Sequence, residues 1–151
     1  MRQEPYNRQQ FKHWTTLEVR WSEIDGYGHL NNIAYFSYFE AGRTRYILDT
    51  FGNEALDGKH PLHVMVNCTM NFRSEVHFPS QVDIGIAISA VGTTSYTMSC
   101  GMFLAQTDAL VADGTGVLVL IDPAIKRPMT VPEDIIHRFE EREGRTFARP
   151  K

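Results

Sequence analysis

The sequence predicts an α+β fold in which one antiparallel sheet of about five strands wraps a long central helix. Three observations carry this. A proline-free run from Ile33 to Asp49 has apolar residues around most of a helical circumference, which marks a helix covered on nearly all sides. Several segments alternate apolar and polar residues with period two, the mark of half-buried strands. Short turn-like segments join the last three of these, so they form an antiparallel meander.

The elements follow in chain order. Residues 1–14 read as a short polar arm carrying Glu4, Arg8 and Lys12. Thr15 to Trp21 alternates, with Leu17, Val19 and Trp21 on one face. Ser22 to Asn32 is rich in Gly, Asp and Asn and reads as a loop. Asn31 or Asn32 then caps the helix. Gly42 inside that helix costs about 1 kcal/mol against Ala, which suits close backbone packing. Four strands follow. Val64, Val66, Cys68, Met70 and Phe72 share a face in the first, and Val82, Ile84, Ile86, Ile88 and Ala90 in the second. Tyr96, Met98, Cys100, Met102 and Leu104 align in the third. The fourth runs from Leu110 to Ile121, where Gly114 and Gly116 imply a bulge or a close backbone approach. A short helix from Glu133 to Glu141 starts beside Pro132. This gives a single domain over residues 15–141 and a C-terminal tail over 142–151. One sheet of this size covers only part of the helix, so the open sheet edge and remaining apolar surface predict a homodimer.

Composition narrows the function classes. The chain has 151 residues, 42% hydrophobic and 22% charged, with a formal net charge of −3. That is a globular composition without the basic stripe of a nucleic-acid binder. No run of about 18 apolar residues points to a membrane span, and the N-terminus lacks the apolar core of a signal peptide. Cys68 and Cys100 lie in alternating apolar runs, outside any metal-ligand spacing, and read as reduced core residues of a cytoplasmic protein. His60-Pro-Leu-His63 has only weak metal-like spacing, so no metal is expected.

The chemistry sits between the first strand and the helix, in Arg20-Trp21-Ser22-Glu23-Ile24-Asp25-Gly26-Tyr27-Gly28-His29-Leu30-Asn31-Asn32. A loop carboxylate beside a helix start suits carbonyl chemistry, which needs an attacking oxygen and a site for the developing oxyanion. A helix N-terminus presents unpaired N–H groups and a positive dipole end. Asp25, a few residues upstream on a glycine-rich loop, can attack or activate a water. The residues alone also allow Asp25 to be a turn-forming side chain and His29 a structural hydrogen-bonder.

The segment resembles the signature of the 4-hydroxybenzoyl-CoA thioesterase family of hotdog-fold enzymes. Tyr35, Phe36, Tyr38, Phe39, Glu40 and Arg43 continue that pattern. The resemblance extends through Asn71-Phe72-Arg73, Val82-Asp83-Ile84, Gly92 to Tyr96 and Asp122 to Pro132, covering about residues 15–140. Glu23 departs from it, since the family often has Asp there. The resemblance implies an acyl-CoA thioesterase with Asp25 as nucleophile or general base, His29 and Asn32 as further catalytic residues, and the helix N-terminus as oxyanion site. Asn31, Tyr35, Arg73, Lys126 and Arg127 are the candidate substrate-binding residues, the three basic ones because phosphates of coenzyme A favour Arg and Lys. Glu40 and Arg43 read as a polar pair on the helix. Phe36, Phe39, Phe51, Met65 and Met70 are candidates for an acyl pocket suited to a medium-chain or aromatic group. No cofactor is expected, coenzyme A being part of the substrate. A homodimer, paired again into a homotetramer, is the expected assembly. Competing readings are an acyl-carrier-protein thioesterase, a hydratase, whose motif matches less well, and a non-catalytic acyl-binding hotdog protein, which the retained Asp25 argues against.

Overall fold

The computed structural model describes residues 3–151. Residues 1 and 2 of the expected arm lie outside them. The elements are β1 (His13–Glu18), α1 (Asn32–Phe51), β2 (Leu62–Phe72), β3 (Gln81–Val91), β4 (Ser95–Leu104), β5 (Leu110–Asp122), the two-residue β6 (Arg127–Pro128) and α2 (Glu133–Glu143). The sheet order is β1-β3-β4-β5-β2, with β6 added to β5 and every pairing antiparallel. This is the expected sheet curled around a central helix. The strand that follows α1, β2, forms one open edge. Among the described residues no helix is long and apolar enough to cross a membrane.

Inward residues of the sheet build the core as the alternation required. Val82, Ile84, Ile86 and Ile88 of β3, Tyr96, Met98, Cys100 and Met102 of β4, and Ala112, Leu118 and Leu120 of β5 are buried against α1. Gly42 lets the helix settle on β3: a Cβ there would crowd Ile84 and Ile86. Ala90 drops out of the expected face because the β3–β4 register shifts between Ile88 and Ala90.

Of four other expectations three are corrected, and the third below, left open between two alternatives, is met by one of them. First, β1 spans His13–Glu18 and ends before Trp21, which opens a 3-10 turn and is 72% exposed against Phe78. Second, a bulge between Met65 and Asn67 reverses the sidedness of the first half of β2. Met65, Cys68 and Met70 therefore pack toward the core, whereas Val64 and Val66 are exposed. Third, the glycines of β5 mark a close approach: a Cβ on Gly114 would collide with the Thr69 carbonyl oxygen, and one on Gly116 would meet Met65 and Phe39. Fourth, α1 is covered on one side only. Ala34, Tyr35, Tyr38, Phe39, Gly42, Tyr46 and Ile47 are buried, but Ile33 is 73% and Phe36 43% exposed.

Both termini are integral to the fold. The N-terminal arm crosses the outer face of the sheet, and its Phe11 is buried where Gly85 and Gly101 face each other across β3 and β4. Arg8 pairs with Asp83 at 2.7 Å and stacks over Trp14. At the other end, Phe147 is buried, Arg145 donates to the carbonyls of Ile88 and Ser89, and Arg149 pairs with Glu133 and Glu140.

Candidate active site

The loop between β1 and α1 is held at both ends by backbone hydrogen bonds. Asp25 N–H donates to the His29 carbonyl, and Gly28 N–H to the Asp25 carbonyl. Gly28 sits at φ 84°, a left-handed value that glycine adopts without steric cost. Leu30, buried, donates to the Val76 carbonyl at 2.7 Å, tying the loop to the β2–β3 connection. Asn31 N–H donates to the Glu23 carbonyl.

Glu23 is half-buried and makes no ion pair with an arginine among the described residues. Its carboxylate accepts from the Tyr38 hydroxyl at 2.6 Å and from Arg20 N–H at 2.9 Å, clamping the loop to the second turn of α1. Burial and the neighbouring Glu23 carboxylate keep the Tyr38 hydroxyl protonated, its pKa well above the usual tyrosine value.

Asn31 is the helix cap: its Oδ1 accepts from Ile33 N–H at 3.0 Å. Asn32 is the first helical residue, and among the described residues nothing accepts its backbone N–H. The mouth of α1 thus keeps an uncommitted donor at the positive end of a 20-residue helix. Asp25 lies on the loop that leads to this mouth, its side chain 23% exposed. One carboxylate oxygen accepts from Tyr27 N–H at 2.9 Å, and the other lies 3.9 Å from His29 Nδ1. Tyr35, one turn into the helix, is buried and packs edge-on against Phe72 at 5.2 Å. Desolvation raises its hydroxyl pKa to about 12, with Glu75 adding to the shift.

Two neighbours of this loop were missed in the sequence reading. His29 Nε2 lies 3.8 Å from Glu75, and Glu75 in turn lies 3.4 Å from His77, whose Nδ1–H donates to the Gly28 carbonyl. Both residues lie about fifty positions downstream, on the β2–β3 connection, and no local pattern singles them out.

The basic candidates separate. Arg73 is drawn into a 3.0 Å ion pair with the fully buried Asp113, which also accepts from Asn71. Its guanidinium therefore helps to hold the end of β2 to β5. Lys126 and Arg127 are exposed in the turn beyond Asp122. The nine residues from Asp113 to Asp122 place them roughly 30 Å along β5 from Arg73. Glu40 is exposed and does not pair with Arg43; the ion pair on α1 is Arg45–Asp49, at 2.8 Å. His60 and His63 also part company. His60 is exposed beside Asp57, whereas His63 turns inward, bonded to the Tyr96 hydroxyl at 2.7 Å and stacked on Phe51.

Burial and the charge of Arg43 lower the His63 pKa from 6.5 to about 4. Above about pH 6.5 both folded and unfolded chains hold this imidazole neutral. As pH falls toward 4 the unfolded chain takes up a proton that the folded chain refuses, so stability is lost across that window. Thermal melts of the wild type should fall between pH 6.5 and pH 4, and His63→Gln should flatten that part of the profile; an unchanged profile would refute the assignment.

The family model described as "Thioesterase-like superfamily" matches residues 19–139. The uncharacterized protein YsmA of Bacillus subtilis is 31% identical over 88 residues, which is 58% of this chain and 58% of that protein's length. Among solved structures, a thioesterase from Thermus thermophilus complexed with coenzyme A and Zn superposes with a TM-score of 0.81. It is 26% identical, over 92% of this chain and 99% of that one. The PA5185 protein of Pseudomonas aeruginosa superposes with the same TM-score at 24% identity, over 91% of this chain and 94% of its own.

Proposed function

Because the chain belongs to the Thioesterase-like superfamily, we propose that it hydrolyses acyl-CoA thioesters, with attack by Asp25 or by a water that Asp25 activates. The observation that carries this reading is the pairing of a partly shielded loop carboxylate with the unpaired N–H of Asn32 at the start of α1. A thioester carbonyl at the helix mouth would direct its developing oxyanion at that N–H and at the helix dipole. Asn31 and Gly28 hold the mouth and the loop in shape, and His29 faces Asp25 from across the loop. The Thermus protein's complex with coenzyme A supports the choice of thioester.

The active unit in this reading is a homodimer joined along β2. That strand is an open edge of eleven residues, and its exposed Phe72 packs against the exposed Phe36 of α1. Large apolar groups and unpaired strand edges are normally covered. A two-fold axis across β2 pairs the strand with itself in antiparallel sense, so opposite ends of the two subunits meet. The partner subunit's Lys126 and Arg127 then come to the Asp25 end, where coenzyme A phosphates need cations. This resolves the 30 Å separation within one chain, a distance of roughly nine strand residues. The protein acts in the cytoplasm on this reading, without a cofactor.

Thiol release from a panel of acyl-CoAs, followed with DTNB, tests the activity, and light scattering tests the assembly. Hydrolysis by a dimer or a tetramer is expected. Failure to cleave any member of a panel spanning short, medium and aromatic acyl groups would overturn the hydrolase reading, and a stable monomer would overturn the shared site.

A further inference from the structure

The β2–β3 connection touches the Asp25 loop at three consecutive residues. In the middle, the Val76 carbonyl accepts from Leu30 N–H at 2.7 Å, and both residues are buried. Glu75 and His77 stand on either side of this fixed point. Glu75 Oε1 lies 3.8 Å from His29 Nε2, and its Oε2 lies 3.4 Å from His77 Nε2. His77 is anchored in turn, because its Nδ1–H donates to the Gly28 carbonyl at 3.1 Å. Among the described residues Glu75 pairs with no lysine or arginine. Its charge reaches the first turn of α1: after burial, it is the second influence that raises the Tyr35 hydroxyl pKa to about 12. The carboxylate therefore stands near the helix mouth with each of its oxygens facing one imidazole.

The His29 ring has a carboxylate at each nitrogen. Asp25 Oδ2 lies 3.9 Å from Nδ1, and Glu75 lies 3.8 Å from Nε2. Tyr27 lies nearly parallel to the ring, at 17° with centroids 6.2 Å apart, and His77 stands edge-on to it at 6.3 Å. Without Glu75 one nitrogen loses its partner, and the two side-chain torsions of a loop histidine have less to hold them. Asp25 depends on that ring. Its Oδ1 accepts from Tyr27 N–H, whereas its Oδ2 faces His29. The Glu75 side chain is 65% exposed, and ion pairs so placed add little to stability. What this chain of contacts supplies is direction. Direction matters at a reacting group, where a misplacement of about 1 Å costs up to about a hundredfold in rate.

We propose that Glu75 is a positioning residue of the site and acts through His29: it holds the ring with Nδ1 toward Asp25 and so fixes the direction of the carboxylate that attacks or activates water. This rests on the thioesterase reading above. Glu75 makes no contact with the thioester in this role, and His77, pinned to the Gly28 carbonyl, keeps the Glu75 carboxylate turned to His29.

Glu75→Gln keeps the length of the side chain and removes its charge. Acyl-CoA hydrolysis is compared in the wild type, Glu75→Gln, His29→Asn and the double variant. Glu75→Gln should lower kcat by about tenfold, with KM within about twofold of wild type and an unchanged melting temperature. In the His29→Asn background the same change should cost nothing further, since no ring is left to hold. Unchanged kcat in Glu75→Gln overturns the proposal. So does an equal loss in both backgrounds, since Glu75 would then act independently of His29, or a lowered melting temperature, since it would then serve folding. The ¹⁵N signals of the imidazoles give a readout that needs no turnover, because they report which ring nitrogen carries the proton. Those of His29 should move in Glu75→Gln while those of His13, His60, His63 and His137 stay. If the wild type cleaves no thioester, the hydrolase reading fails, and these signals decide separately: a change at His29 keeps the Glu75 contact, and none removes it.

Discussion

Asp25→Ala lowers thioester turnover by about a hundredfold or more, the range expected when a positioned nucleophile or general base is lost. The loss should fall on kcat and leave KM nearly unchanged, because Asp25 has no part in gripping the coenzyme. Asp25→Asn is the companion variant. Its amide oxygen can still accept from Tyr27 N–H, the contact that Asp25 makes at 2.9 Å, so the loop keeps its shape while the carboxylate is lost. Equal losses in both variants with unchanged melting temperatures place the effect in the chemistry. Activity equal to wild type in either would remove Asp25 from the mechanism. Single turnover in heavy-oxygen water gives a one-way test: label in the Asp25 side chain means that the carboxylate attacked and that water then opened the mixed anhydride at the Asp25 carbonyl.

Gly114→Ala is the substitution expected to damage the fold most. Gly114 of β5 pairs with Met70 of β2. The new methyl group would occupy the place of the Thr69 carbonyl oxygen, with the Met70 Cα 3.1 Å away. These are backbone atoms, so no rotamer change relieves the clash, and β2 must peel from the sheet. Overpacking of this severity costs about 3 kcal/mol, read as a lower denaturation midpoint. Because β2 is also the proposed dimer edge, dissociation should begin at higher protein concentration than in the wild type. Gly26→Ala is the control: nothing lies within 4 Å of its added Cβ, and a change within about 0.5 kcal/mol is expected. A Gly114→Ala protein as stable as that control would show that β2 is loosely held.

The motif loop was legible because its residues are neighbours in the chain. A cap at Asn31, a glycine-rich turn and a carboxylate at Asp25 all act over a few positions, and each lies where the spacing put it. The uncertain strand boundaries had equally local causes. Glu23 turns back to accept from Arg20 N–H, which ends β1 before Trp21. A bulge at one peptide of β2 exchanges its two faces, and period-two reading has no means to detect an extra residue. The ion pair of Arg73 was hidden from the sequence for a different reason. Its partner Asp113 is forty residues away, and only the pairing of β2 with β5 brings them together.

From the order of residues alone came the strand alternation, the long capped helix, the single-sheet architecture and the loop carboxylate beside a helix start. Each is set by interactions over a turn or a strand pair, where side-chain period and backbone preference decide. The tertiary structure alone decided which charges are spent and which remain. It buried Arg73 on Asp113, placed Glu75 and His77 behind His29, turned His63 onto Tyr96, and set Lys126 and Arg127 at the far end of β5. Charge compensation and desolvation depend on distances through space, and those emerge only when the sheet has closed around the helix.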